Sequence, residues 1–82
     1  MKVAVVMGVA NDRSIAWGIA NKLIDEGYTC IFTYPNDSIK KRITRLSPMA
    51  HTIKCDVSNS MDVRNAIIEA TKHYPKIDYV VH

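Results

Sequence analysis

Gly8-Val9-Ala10-Asn11-Asp12-Arg13-Ser14-Ile15-Ala16-Trp17-Gly18 follows directly on the apolar run Val3 to Met7. A strand that opens through a glycine into a polar loop, and then into a helix starting at Ser14, aims free backbone N–H groups at one place. The first N–H groups of a helix have no intrahelical acceptor and lie at the positive end of its dipole, so that place suits an anionic phosphate. Ser14 could donate to such a group from its hydroxyl and its N–H, or it could only cap the helix. The run lacks the second glycine of G-x-G-x-x-G, because the next glycine after Gly8 is Gly18, already inside the expected helix. On spacing alone, a dinucleotide loop and a plain glycine turn with an N-cap both stand.

Other candidates sit at the ends of the next strands. After the second strand, the position that usually carries a ribose-binding acid or a 2′-phosphate-binding arginine reads Tyr34-Pro35-Asn36-Asp37, with neither in the expected place. Asp56 closes the third strand, where a carboxylate could accept from an adenine amino group or merely cap the following loop. Trp17 reads as a packing residue. His51, His73 and His82 are scattered along the chain and suggest no metal site. Cys30 and Cys55 each lie in an apolar strand-like run and read as reduced core residues.

The elements that must position these residues alternate strand and helix. Lys2 to Met7 is the first strand and Ser14 to Glu26 the first helix. That helix carries an apolar stripe at Ile15, Ala16, Ile19, Ala20, Leu23 and Ile24, and Gly27 suits its C-cap. Thr29 to Tyr34 is the second strand, followed by a helix capped by Asp37 or Ser38 and running to about Leu46. Thr52 to Cys55 is the third strand. The third helix runs from about Ser60 to His73, is capped by Asn59 or Ser60, and is buried along Val63, Ala66, Ile67 and Ala70. Pro75 stops it, and Ile77 to Val81 is the fourth strand. This alternation predicts an α/β, Rossmann-like, doubly wound parallel sheet, here its first four strands and three helices. With no strand after Tyr79-Val80-Val81 to cover an apolar edge, residues 1–82 are expected to be the N-terminal part of a larger dinucleotide-binding domain, the alternative being a chain that completes its sheet by dimerising.

Composition narrows the classes. Of the 82 residues 48% are hydrophobic, which fits a folded chain rather than a disordered one. No stretch approaches a span of about 20 apolar residues, and Met1-Lys2 leads straight into a strand without a secretory signal. A cytoplasmic location without membrane insertion is expected. The net charge of +3 comes with a basic cluster, Lys40-Lys41-Arg42 and Arg45, which reads as a solvated helix face. No aromatic interleaving or motif supports nucleic-acid binding.

The loop from Gly8 to Ala20 resembles the cofactor loop of the NADH-dependent enoyl-acyl-carrier-protein reductases, a divergent branch of the short-chain dehydrogenase/reductase superfamily. Phe32-Thr33-Tyr34 with Asn36-Asp37 and Lys41-Arg42 is similar to that family's second strand and turn. Cys55-Asp56-Val57 resembles its adenine-side motif, and Asp78 to His82 its fourth strand. The resemblance runs in register along essentially the whole chain. It implies that Gly8 lets the chain pass close to the cofactor and that Ser14 and Ile15 face the pyrophosphate. It implies further that Asp56 and Val57 hold the adenine, the first by hydrogen bond and the second by packing or its N–H.

Pro35 departs from the family pattern, since many members have a polar or basic residue there. The lack of an adjacent Arg or Lys favours NADH and leaves NADPH open. The family passes hydride to the β-carbon of an enoyl thioester, using a tyrosine and a lysine beyond the fourth strand. Tyr28, Tyr34, Tyr74 and Tyr79 match none of the catalytic positions. The resemblance thus implies a cofactor-binding part of a fatty-acid-synthesis reductase, inactive alone. The complete enzyme would take enoyl-acyl-carrier-protein as substrate and form a homo-oligomer. Another short-chain reductase and a non-catalytic nucleotide-binding fragment are the alternatives.

Overall fold

The computed structural model describes residues 1–82. Seven elements alternate along the chain: β1 (Val3–Val6), α1 (Ile15–Asp25), β2 (Thr29–Tyr34), α2 (Asp37–Leu46), β3 (Thr52–Lys54), α3 (Ser60–His73) and β4 (Tyr79–Val81). The strands form one sheet in the order β3-β2-β1-β4, and every pairing is parallel. This is the expected doubly wound arrangement, with β1 in the interior. Its strand residues are all buried, as a strand covered on both faces requires.

Strand alternation splits the core into two layers. Ala4, Val6, Cys30 and Phe32 face one side, where Ala20 of α1 and Ile43 of α2 cover them. Val3, Val5, Met7 and Ile31 face the other, against Ala70 of α3. Phe32, Met7, Ile31 and Ile43 are the largest fully buried side chains. Each contributes about 1.5–3 kcal/mol by leaving water. Small residues set the spacing of α1 over the sheet: Ala4 and Ala20 are wholly buried, and the Cys30 thiol approaches the Ala20 carbonyl at 3.9 Å.

The expected α1 stripe is corrected in part. Ala16, Trp17, Ala20 and Leu23 pack on the sheet, but Ile15 is 85% exposed and Ile19 and Ile24 are also exposed. The helix is rotated so that Trp17, which the apolar count left out, enters the core with its ring 5.8 Å from that of Phe32. On α3, Ala66 and Ala70 are buried, with Val63 and Ile67 packed at the margin.

Helix ends follow local chemistry. Asn36, rather than Asp37 or Ser38, caps α2 by accepting from the Ile39 N–H at 3.0 Å. Asn59 caps α3 by accepting from Met61 and Asp62. Gly27 follows α1 with φ +91°, the left-handed backbone that its C-terminal position favours. At the sheet margin β4 leaves Tyr79 and Val80 exposed. The carboxylate of Asp78 ties the start of β4 to β1 by accepting from the Val3 N–H at 2.8 Å.

Candidate functional site

Strand order reverses at β1. From its carboxyl end the chain runs through α1 to β2 on one side, while β4 lies on the other. The loop from Met7 to Ser14 therefore opens into the crevice where sheets of this class hold ligands. Met7 still donates to the Val81 carbonyl at 2.8 Å, so the loop begins from a paired backbone. Gly8 follows with φ +90°, a conformation that L side chains rarely adopt.

The loop closes on Asn11 and Ser14. Asn11 accepts from the Arg13 N–H at 2.8 Å through its side chain and from the Ser14 N–H at 3.2 Å through its carbonyl. Ser14 occupies the N-cap position of α1, but its side chain makes no cap hydrogen bond. Its Oγ instead turns back and accepts from the Ala10 N–H at 2.9 Å and the Asn11 N–H at 3.0 Å. This overturns the reading of Ser14 as a helix cap. The physical reason lies in the loop, which brings two otherwise unpaired donors to the hydroxyl.

Two consequences follow at the start of α1. No protein group accepts from the N–H of Ile15, Ala16 or Trp17, and the first intrahelical bond comes only at Gly18, to the Ser14 carbonyl. No acidic residue lies in the first turn, in contrast to Asp37 of α2 and Asp62 of α3. A hydroxyl has one donor and two acceptor sites. With both acceptor sites filled, Ser14 has only its O–H left to offer. Three free N–H groups, an open dipole end and one hydroxyl donor thus share one small region.

Beside it lies a cleft of about 140 Å³, lined by Gly8, Val9, Ala10, Thr33, Pro35, Ile39, Cys55 and Val57. It gathers the carboxyl ends of β1, β2 and β3, and its size suits a single ring system better than a whole dinucleotide; drug-sized ligands occupy about 300–1,000 Å³. Of the residues singled out from sequence, Gly8 and Val57 line it. Ser14 and Ile15 stand at the helix start, and Asp56 lies between two liners without being one. The Asp56 carboxylate is already engaged: Oδ1 accepts from the Ser58 hydroxyl at 2.6 Å and the Ser58 N–H at 3.0 Å. Those bonds, the hydroxyl first, hold its carboxyl below the usual carboxylate range. Oδ2 makes no hydrogen bond within the chain.

Sequence reasoning missed Thr33, Pro35 and Ile39 as wall residues. The available signal was their position at the carboxyl end of β2 and in the first turn after it. Pro35 is part of the apolar wall rather than only a lost donor. Cys30 and Cys55 are both buried and unpaired. Burial raises the Cys55 thiol, and nearby Asp62 and Asp56 raise it further, which favours the thiol over the thiolate at the cleft wall.

His51 and His73 are far apart in sequence, yet their rings meet edge to face at 4.5 Å. No group of three His, Cys, Asp or Glu side chains is placed to hold a metal ion. No helix is long and apolar enough to cross a membrane.

The model of the Enoyl-(Acyl carrier protein) reductase family matches residues 8–82. The chain belongs to this family. It is 39% identical over 82 residues to the enoyl-acyl-carrier-protein reductase (NADH) FabI of Enterococcus faecalis, an alignment covering 99% of this chain and 33% of that protein. To the corresponding NADPH enzyme of Staphylococcus aureus it is 36% identical, with 99% and 34% covered. The crystal structure of the Aquifex aeolicus enoyl-acyl-carrier-protein reductase (NADH) superposes with a TM-score of 0.87 at 36% identity, over 99% of this chain and 37% of that one. The Anaplasma phagocytophilum reductase, solved in complex with NAD, gives 0.86 at 36% identity, over 99% and 32%. The chain spans about a third of the length of the curated relatives it matches. The residues that line the crevice, from Gly8 to Val57, all lie within the stretch that the family model matches.

Proposed function

We propose that this chain binds the adenosine and pyrophosphate end of a nicotinamide dinucleotide, within an enzyme that reduces the trans-2 double bond of enoyl thioesters carried on acyl carrier protein. The observation that carries this reading is the start of α1, where Ile15, Ala16 and Trp17 keep free N–H groups while Ser14 is committed to the loop. In this reading the pyrophosphate lies against those N–H groups and the Ser14 hydroxyl, and Gly8 keeps the approach open. The adenine enters the cleft against Val57, with the unbonded oxygen of Asp56 as acceptor for its amino group.

The cofactor supplies the hydride. These residues bind and orient one end of it, and none of them is assigned a catalytic role. Each tyrosine already has a neighbour: Tyr28 packs on Tyr79, Tyr34 lies under Lys40, and Tyr74 lies near His51. NADH is the proposed donor, on the absence of a basic side chain among the residues that directly follow β2. A cytoplasmic homo-oligomer is proposed with it. Tyr79 and Val80, exposed on the margin strand β4, support burial of this sheet edge against further polypeptide.

The test is turnover of a trans-2-enoyl thioester with NADH by the protein expressed from its own gene, alongside equilibrium binding of NADH. Binding with enoyl-dependent oxidation is expected. Folded protein that binds no nicotinamide dinucleotide would refute the site, and binding without enoyl turnover would refute the reaction.

A further inference from the structure

Of the 15 buried residues, Thr33 is the only polar or charged one, with 2% of its surface exposed. It stands next to the last residue of β2 and lines the cleft. Its Oγ1 makes no hydrogen bond within the chain. Two threonines on helices differ: Thr44 donates to the Lys40 carbonyl at 2.9 Å and Thr71 to the Ile68 carbonyl at 2.7 Å, although both are exposed. The threonine with the least access to water is thus one without a partner in the protein.

Where that hydroxyl points follows from a second observation. No side-chain oxygen or nitrogen of the chain is both sealed from solvent and unpaired. The small surface that Thr33 keeps must therefore include Oγ1, and because Thr33 lines the cleft, that surface opens into it. The walls give the hydroxyl nothing to bind: Val9, Ala10, Pro35, Ile39 and Val57 are apolar, and Cys55 brings only a thiol, a weak hydrogen-bonding group. A valine would fill the same space, suit a strand as well and leave no hydroxyl to desolvate. The oxygen does nothing for the fold, so its use lies in what enters the cleft.

We infer that the Thr33 hydroxyl is a cofactor contact at the floor of the cleft, donating to a ring nitrogen of the adenine and so fixing how the ring is turned. This rests on the cofactor reading above and adds a residue to it. An apolar cleft alone holds a flat ring in several orientations, and a few placed polar groups select one. Adenine carries an acceptor ring nitrogen beside its amino donor. The Thr33 hydroxyl and the unbonded Asp56 oxygen supply the matching donor and acceptor. Thr33 takes no part in hydride transfer.

The test is equilibrium binding of NADH and of ADP to the protein expressed from its own gene, as wild type, T33V and T33S, with a urea midpoint for each unliganded protein. ADP presents the adenosine and pyrophosphate half alone. T33V is expected to bind both ligands about fivefold more weakly, the scale of one neutral hydrogen bond, with a urea midpoint equal to or above wild type. T33S keeps the hydroxyl and should bind as wild type does, although the lost buried methyl lowers its midpoint. Affinity and stability should therefore rank the variants in opposite orders, whereas a packing role would rank them alike. T33V that binds both ligands as wild type does would overturn the assignment and leave the cofactor reading intact. A weakening seen with NADH and not with ADP would also overturn it, as would a T33V protein that fails to fold. Folded wild-type protein that binds neither NADH nor ADP would remove both readings.

Discussion

Ser14→Ala separates two roles that a serine at a helix start can play. Its Oγ accepts from Ala10 and Asn11 and makes no bond within α1, so the substitution should loosen the loop and leave the helix start as it is. Each lost bond is worth about 0.5–1.5 kcal/mol, and because one of the donors is exposed the sum should be about 1–2 kcal/mol. A lost N-cap would cost about 1 kcal/mol. The global unfolding energy therefore cannot tell the two roles apart. Site-resolved amide exchange can: the Ala10 amide should lose protection in the variant, and the Trp17 amide should exchange as in wild type.

Cofactor affinity gives a second reading of the same substitution. If the remaining O–H of Ser14 donates to a phosphate, its loss should weaken binding about tenfold, the low end of a charge-assisted hydrogen bond. Ser14→Thr, which keeps the hydroxyl, should restore it. Unchanged protection at Ala10 with faster exchange at Trp17 would refute the loop role, and unchanged affinity would remove the phosphate contact.

Three further outcomes check the local physics. Gly8→Ala should destabilise by about 1–2 kcal/mol from the left-handed backbone alone, since its Cβ would meet nothing closer than Ala16 Cβ at 3.9 Å; Gly18→Ala, in open space on α1, should instead stabilise by about 0.5–1 kcal/mol, and urea midpoints report both. Asn59→Ala removes the acceptor for Met61 and Asp62 and should cost about 1 kcal/mol, seen as faster exchange in the first turn of α3. The Val3 N–H, and then Lys76, hold the Asp78 carboxyl below the usual range, so its contribution to stability is full above the unfolded value of about 4 and is lost as pH falls through the folded value. Urea midpoints measured down the acid limb should therefore fall less steeply for Asp78→Asn than for wild type; parallel limbs would rule this out.

The architecture was legible because its signals are local and repeated. Thr29 to Tyr34 reads as a strand from its β-branched and aromatic residues, and the structure returns the same bounds. Gly27 marks the end of α1 through the one conformation that it alone adopts cheaply. What stayed hidden depends on rotation and on reach. An apolar count cannot distinguish a stripe through Ile15 and Ile19 from one through Ala16 and Trp17, because the two differ by a single step around the helix; contact with Phe32 decides it. Ser14 was placed correctly at the helix start, but the direction of its hydroxyl depends on how the loop folds back. The meeting of His51 with His73, and of Lys40 with Tyr34, joins residues whose separation in sequence carries no signal of contact.

The candidate site follows from that same division between what the strands fix and what the connections add. Parallel pairing brings the carboxyl ends of β1, β2 and β3 to one margin, so Gly8, Thr33 and Cys55 reach a common cleft whatever the loops contain. The cleft is thus a property of the fold. Its chemistry comes from the first residues after each strand: a left-handed glycine and an uncapped helix after β1, an apolar proline after β2, and an Asx turn at Asp56 after β3. Of these, the uncapped helix is the informative one, because α2 and α3 each begin with an asparagine whose side chain accepts from the first turn, and α1 has no such bond. An asparagine at position 14 able to accept from Trp17 would bring α1 into line with the other two. If Ser14→Asn stabilised the protein and abolished dinucleotide binding, the open helix start would be shown to serve the ligand at a cost to the fold. If it stabilised the protein and left binding unchanged, the pyrophosphate would have to lie elsewhere.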